Sequence, residues 1–391
     1  MSTTLRFPRG LDADHFLNAY WQRNPLLLRQ ALSAFEGPLS PEELAGLACD
    51  PEVESRLVLE RDGAYPWEVR HGPFEEEDFA AFPETHWTLL VQDVDKLVPE
   101  VAALLSAFRF IPDWRVDDIM VSYAADGGSV GPHVDEYDVF LVQTWGRRRW
   151  LIASEPASDQ AFIPDLDLRI LQRFDPTEEY LLEPGDVLYL PPGVPHWGVA
   201  EGPCMTWSVG FRAATWRELA SSWCDFAGEQ RLPAGRFRDR DLTPVDDSGE
   251  IRAEVFDSVL QVLEDSLRGA SGQLFRDWFG RFVTEPKEHL QVFPTDAPLD
   301  PVAFRAELER RGVLERHGFS RMAFCRGEDG QDLLFANGEA YPLRSDQTGF
   351  LSLLTRERHL HFADLAQWLD RPDCLDLLCR LYNDGHYELA S

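Results

Sequence analysis

Residues 117–150 read DDIMVSYAADGGSVGPHVDEYDVFLVQTWGRRRW, and residues 185–198 read GDVLYLPPGVPHWG. Short apolar runs (IMVSYA, VFLVQTW, RRWLIA, EYLLEP, DVLYLP and MTWSVGF) recur between residues 117 and 212, punctuated by Gly and Pro. That rhythm is strand and turn at the spacing of an antiparallel sandwich or barrel. Side chains alternate along a strand, so His133 and Asp135 fall on one face. His196 opens a later predicted strand. Two imidazoles and one carboxylate can reach a single ion, and this set is the facial triad of non-haem Fe(II) oxygenases. It leaves three octahedral positions open. A structural zinc site would instead fill its shell with four protein ligands, usually thiolates.

The run Gly146 to Trp150 places three arginines together. Alternation puts Arg147 and Arg149 on one face of a strand and Arg148 on the other. A barrel strand has an inside, and an arginine buried there needs an anion. A carboxylate suits its planar fork. 2-Oxoglutarate supplies one: its 2-oxo acid end chelates iron, and its distal carboxylate meets the arginine.

Outward from this region the language changes. Asp12 or Asp14 caps a helix carrying Phe16, Leu17, Tyr20 and Trp21, which Pro25 stops. Leu26 to Arg29 reads as a short strand. Residues 30 to 115 read as helical pieces with loops, and the acidic run Glu75 to Asp78 as a solvated face. Past Phe211, Thr215-x-x-Glu218 is a capping box. It opens a helix with Trp216, Leu219, Ala220, Trp223 and Phe226 on one face. Pro233 to Gly249 reads as a loop. A second helix carries Val255, Phe256, Val259, Leu260, Leu263 and Leu267, and a third Leu274, Trp278 and Phe282. These wide apolar faces admit two readings, packing within the chain or a helical dimer interface. The last hundred residues read as a small α+β unit: a helix from Asp300-Pro301 to Gly312, strands near Arg321–Cys325 and Leu333–Phe335 joined at Asp329-Gly330, a turn at Asn337-Gly338, then three short helices. That order suggests a winged helix, with acids crowding it.

The chain has 391 residues and 68 acids against 37 bases, a formal charge of −31. Such a surface repels phosphate backbones and attracts a basic partner, so direct nucleic-acid binding is not expected. No apolar run is long enough to span a membrane, and the start MSTTLRFPRGLDADHF has no signal-peptide core. The six cysteines form no CxxC pair, which fits reduced thiols and a cytoplasmic setting.

The spacing G-x5-P-x4-H from Gly185 through Pro191 to His196 is the second cupin motif, and Gly127-x5-His133 matches the first. With YWQRNPLLLRQA near the start, the chain resembles the bacterial JmjC-type ribosomal oxygenases, most closely those that hydroxylate an arginine of ribosomal protein uL16. The resemblance implies an α+β chain. A double-stranded β-helix (jelly-roll, cupin, JmjC) barrel at 1–213 would be followed by a helical dimerisation region at 214–292 and a winged-helix-like domain at 293–391. It implies His133, Asp135 and His196 as iron ligands, and Arg148 with Ser122 as the holders of the distal carboxylate of 2-oxoglutarate. It implies a homodimer and C3-hydroxylation of a uL16 arginine, with O2 as the other co-substrate. Tyr137 and Asp138 are candidates to hold the substrate arginine. Open alternatives are a JmjC or cupin oxygenase acting on another protein residue or on a small molecule, a methyl-lysine demethylase, and a metal-free cupin interaction module.

Overall fold

The computed structural model describes residues 4–32, 35, 37–60, 67–153, 162–164, 166, 168–231, 253–268, 272–327 and 330–390. The expected loop from Pro233 to Gly249 lies outside them. The chain divides into two compact units, residues 1–213 and 214–391.

The first unit runs α1 (Ala13–Ala19), β1 (Leu26–Leu28), α2 (Pro41–Ala48), β2 (Ser55–Glu60), β3 (Trp67–His71), α3 (Glu76–Ala81), β4 (Trp87–Val91), α4 (Val94–Leu97), α5 (Pro99–Ala102), β5 (Val116–Ala124), β6 (Asp138–Ile152), β7 (Glu178–Leu182), β8 (Val187–Leu190) and β9 (His196–Phe211). The strands form one antiparallel sheet in the order β1-β8-β6-β9-β5-β4-β2-β3, with β7 pairing β6. β6 and β9 are long enough to serve both halves of a barrel. β6 pairs β8 through Val139–Val142 and β7 through Arg148–Ile152, while β9 runs beside it throughout. The register of β6 on β9 shifts on either side of Trp145. Gly146 sits at this bend with φ +62°, and a Cβ there would lie 2.2 Å from the Pro203 carbonyl oxygen. Only glycine fits so close an approach with that backbone.

Asp12 caps α1, accepting the His15 N–H. The helix buries Phe16 against Phe7, Phe110, Phe140 and Tyr189. β1 pairs β8 where Leu26 to Arg29 was read as a strand. Residues 30 to 115 depart from the sequence reading, because β2, β3 and β4 extend the sheet beyond β5. β2 (SRLVLE) is buried along most of its length and shows no alternation, and β3 (WEVRH) carries no buried residue. Neither presents the half-buried pattern that marks a strand.

The second unit holds α6 (Trp216–Arg231), α7 (Ala253–Arg268), α8 (Gly272–Thr284), α9 (Pro301–Arg311), β10 (Val313–Arg316), β11 (Met322–Cys325), β12 (Gln331–Ala336), β13 (Glu339–Arg344), α10 (Thr348–Arg356), β14 (His359–His361), α11 (Phe362–Leu369), α12 (Pro372–Asn383) and β15 (Tyr387–Leu389). The Thr215–Glu218 capping box forms as expected. Asn337 and Gly338, with φ of +43° and +83°, make the two-residue turn between β12 and β13. The sequence reading lacked a second three-stranded sheet, β14-β10-β15. Its strands are three or four residues long, too short for periodicity to register. No helix among the described residues is long and apolar enough to cross a membrane.

Phe140 is fully buried and meets the rings of Phe16, Phe108, Phe110, Tyr189 and Phe211. Phe140→Ala is expected to cost about 3–5 kcal/mol in denaturant unfolding of the first unit. A loss under about 1 kcal/mol would show that this cluster does not hold the barrel to α1.

Candidate active site

The HxD segment is irregular backbone that begins at an isolated antiparallel bridge, and the convergence of His133 and Asp135 comes from backbone pairing and not from a regular strand. The His133 N–H donates to the His196 carbonyl at 3.0 Å and the His196 N–H returns the bond at 3.0 Å. The Gly193 N–H donates to the Asp135 carbonyl at 2.8 Å, tying the Pro-Pro-Gly turn to the HxD segment. The two imidazole rings lie 4.2 Å apart between centroids. Asp135 Oδ2 is 3.5 Å from His196 Nε2 and 4.0 Å from His133 Nε2. One ligand atom from each of the three residues lies within 4.8 Å of the others, so they can hold one metal ion.

Each ring is oriented from behind. Nδ1 of His133 is 2.9 Å from the Gly131 carbonyl oxygen, and Nδ1 of His196 is 2.9 Å from that of Val194. A carbonyl only accepts, so each Nδ1 carries the proton and each Nε2 presents its lone pair. Burial pushes the His196 pKa down to about 4, the charge of His133 adds to this, and Asp135 opposes it. The ring is therefore neutral at pH 7, the form a metal requires.

A cavity of about 450 Å³ opens beside the three residues. Arg148 and Trp150 reach it from β6, Ser122 and Met120 from β5, Thr206 and Ser208 from β9. Arg148 is only 3% exposed. Its Nη1 donates to Ser122 Oγ at 3.3 Å, its Nη2 approaches the Gly198 carbonyl at 3.5 Å, and its Cζ sits 5.1 Å from the centre of the Trp150 ring. Its buried Nε has no hydrogen-bond partner among the described residues. Desolvation pulls its pKa down. Arg147 and Arg149 point outward, where Arg149 pairs with Glu179 and Glu201. The parity argument left three arginines to choose among, and Arg148 is the one inside. A Cβ on Gly198 would lie 2.8 Å from Arg148 Nε and 2.8 Å from the Trp150 ring, so the absence of a side chain there makes room for both.

Tyr137 lines the mouth of the cavity and is 43% exposed. Desolvation raises its phenol pKa, and the charges of Asp135 and Asp118 raise it further. Asp138 does not reach the cavity, which corrects the sequence reading. It is fully buried on the opposite face of β6, where it accepts from Tyr189 Oη at 2.6 Å and Gln22 Nε2 at 2.9 Å. It fastens the end of α1 to the barrel. Of the carboxylates that line the cavity, Asp135 belongs to the metal-ligand set, Glu136 pairs with Arg169, and Asp118 of β5 accepts the Asp93 N–H at 3.0 Å. Asp118, Arg56 and Gln92 carried no sequence signal, because no motif marks them and β2 and β4 were not read as strands.

The JmjC domain family matches residues 103–219, and the ROXA-like winged-helix family matches residues 262–388. Such a barrel with such a cavity defines a JmjC-type oxygenase. The ribosomal protein uL16 3-hydroxylase of Escherichia coli is 37% identical over 383 residues, covering 98% of this chain and 99% of its own length. A probable ribosomal oxygenase of Haemophilus influenzae is 32% identical, covering 97% of this chain and 96% of its own. The structure of YcfD, a ribosomal oxygenase from Escherichia coli, in complex with cobalt and 2-oxoglutarate matches at 35% identity and TM-score 0.82 over the full length of both chains. The chain belongs to the JmjC-type ribosomal oxygenases, and it is an Fe(II)- and 2-oxoglutarate-dependent oxygenase.

Gly198→Ala is expected to push Arg148 and Trp150 out of place. It should raise the 2-oxoglutarate Kd by about tenfold or more, the equivalent of one charge-assisted hydrogen bond, while metal affinity holds. Titration of 2-oxoglutarate into the Co(II)-loaded variant checks this, and an unchanged Kd would contradict it.

Proposed function

We propose that this chain hydroxylates C3 of an arginine side chain in ribosomal protein uL16. In this reading His133, Asp135 and His196 hold Fe(II), while Arg148 and Ser122 hold the distal carboxylate of 2-oxoglutarate. One observation carries it: a single cavity joins three convergent metal-ligand atoms to a buried arginine that forms no ion pair among the described residues. The name of the Escherichia coli relative supports the choice of substrate, as does the charge of −31, which suits a basic ribosomal protein. The setting that follows is the cytoplasm, where ribosomal proteins are made.

Fe(II) with 2-oxoglutarate supplies oxidative decarboxylation by O2, yielding succinate and CO2 and the oxidising power to hydroxylate an unactivated carbon. The chain's own residues prepare that step. Two histidines fixed in one tautomer and one carboxylate would hold the metal and leave its other positions to co-substrates. The Arg148 fork and the Ser122 hydroxyl fix the far end of the 2-oxo acid, where the low dielectric strengthens the pairing. Asp118 supplies a carboxylate for the substrate guanidinium, and the Tyr137 ring offers it a face. The surrounding apolar side chains, Leu90, Val139, Leu141 and Trp150, limit water near the reacting carbon.

We also propose that α7 joins two copies of the chain. Phe256 and Leu260 stand one helical turn apart and are 60% and 54% exposed. Leu263 continues the same stripe. An apolar stripe of this size on an acidic protein calls for a cover. Phe256→Asp combined with Leu260→Asp is expected to move the protein from dimer to monomer in light scattering; an unchanged mass would overturn the assignment.

Recombinant uL16 incubated with the protein, Fe(II), 2-oxoglutarate and air is expected to gain one oxygen by intact-mass analysis. Fragmentation should place the oxygen on an arginine. The His133→Ala protein should leave uL16 unmodified. Unmodified uL16 in the presence of steady succinate production would overturn the substrate assignment and leave the iron chemistry in place.

A further inference from the structure

The sheet face that walls the cavity is built from cross-strand rows. One row runs Arg56 on β2, Leu90 on β4, Ser122 on β5 and Thr206 on β9, each opposite the next. All four residues line the cavity. The row therefore has Ser122, the contact of Arg148, near one end and a second arginine at the other. Two strand spacings separate Arg56 from Ser122, roughly 10 Å between backbones. The co-substrate end of the cavity and the β2 wall are distinct places.

Among the described residues, Arg56 is the cavity cation that the chemistry above leaves unused. Arg169 is paired with Glu136 at 2.7 Å, and Arg148 faces the co-substrate end. Arg56 is half-buried, and its sequestered Nε has no hydrogen-bond partner among the described residues. No ion pair is formed by Arg56 among the described residues, although Asp118 lines the same cavity. A guanidinium N–H withdrawn from water and left unpaired is costly unless something supplies an acceptor. Gln92, two residues past Leu90 and just beyond the end of β4, adds a second polar group on this wall.

We propose that Arg56 is a substrate-docking residue: its guanidinium takes an acceptor oxygen, a carboxylate or a main-chain carbonyl, on the protein segment that carries the hydroxylated residue. Asp118 and Tyr137 then hold the target side chain while Arg56 holds the chain that bears it. This places the segment along the β2–β4 wall and gives the enzyme selectivity for sequence around its target. The inference rests on the reading of the chain as a protein hydroxylase.

The test compares wild type with Arg56→Met, which keeps the aliphatic stem, and Arg56→Lys, which keeps the charge but not the fork. Kinetics with Fe(II), 2-oxoglutarate and recombinant uL16 are paired with direct titration of uL16 into protein loaded with Co(II) and 2-oxoglutarate, where no turnover occurs. Arg56→Met is expected to raise both KM and Kd for uL16 by about ten- to hundredfold, the range of one charge-assisted hydrogen bond. Arg56→Lys should recover part of this. kcat, the KM for 2-oxoglutarate and substrate-free succinate production should stay within about twofold of wild type, in line with a loss of uniform binding. A uL16 variant with the acidic residues beside its target changed to amides tells the two acceptors apart. If it binds wild type as weakly as uL16 binds Arg56→Met, and the two losses do not add, the acceptor is a carboxylate. If it binds like uL16, the acceptor is a carbonyl. An unchanged uL16 Kd in Arg56→Met overturns the proposal, and so does a raised KM for 2-oxoglutarate. Failure of the hydroxylase reading itself would show in wild type, as uL16 that neither binds nor gains oxygen, and would remove this proposal with it.

Discussion

A guanidinium 3% exposed and paired with no carboxylate among the described residues is the constraint around which the first unit is arranged. Burial of such a charge costs several kcal/mol unless an anion meets it. The fold keeps it there all the same. Gly198 leaves the volume open, Trp150 lies under the guanidinium, and Ser122 faces it from β5, on the other side of β9. Its two sequence neighbours, Arg147 and Arg149, turn outward to glutamates, so the inward charge is not one of a solvated cluster. We propose that the co-substrate's distal carboxylate completes this arrangement, which links the architecture of the barrel directly to its chemistry.

The same pair of strands that buries Arg148 also builds the metal site. β6 follows the HxD segment and β9 begins at His196, and the main chains of His133 and His196 bond to each other directly. Side chains that could hold a metal and side chains that could hold an organic acid are thereby fixed to one rigid frame. Rigid placement of this kind is what lets separate ligands meet in a reactive geometry. The acidic and aromatic groups that line the cavity, Asp118 and Tyr137, stand on β5 and just after the HxD segment and belong to the same frame.

How much of this was legible in the chain depended on whether chemistry and local pattern coincided. His133, Asp135 and His196 stood out because turn-forming glycines and prolines flank residues with no packing reason to recur at that spacing. Strand parity and the electrostatic demand of a buried cation pointed to the run Arg147–Arg149, and the choice of Arg148 within it came from the family resemblance. Asp138 shows the limit of that approach. A carboxylate beside Tyr137 looked like a substrate contact, but it begins β6 with the opposite parity and is consumed by Tyr189 and Gln22. Asp118 and Arg56 escaped notice because their place at the cavity is set by which strands lie side by side, and β2 and β4 gave no periodic signal. In the second unit, helix caps and the Asn337-Gly338 turn were local and readable, whereas the short strands of the β14-β10-β15 sheet exist only through pairing with distant partners.

The central claim is that the buried charge of Arg148 awaits the co-substrate. Its most direct test is the unfolding stability of wild type and Arg148→Met, each loaded with Co(II), with and without saturating 2-oxoglutarate. The account predicts that Arg148→Met is at least as stable as wild type without 2-oxoglutarate, because an uncompensated buried charge has been removed. It also predicts that the variant loses most of the stabilisation that 2-oxoglutarate gives wild type. An Arg148→Met protein that is markedly less stable alone, yet gains as much from 2-oxoglutarate as wild type does, would contradict it.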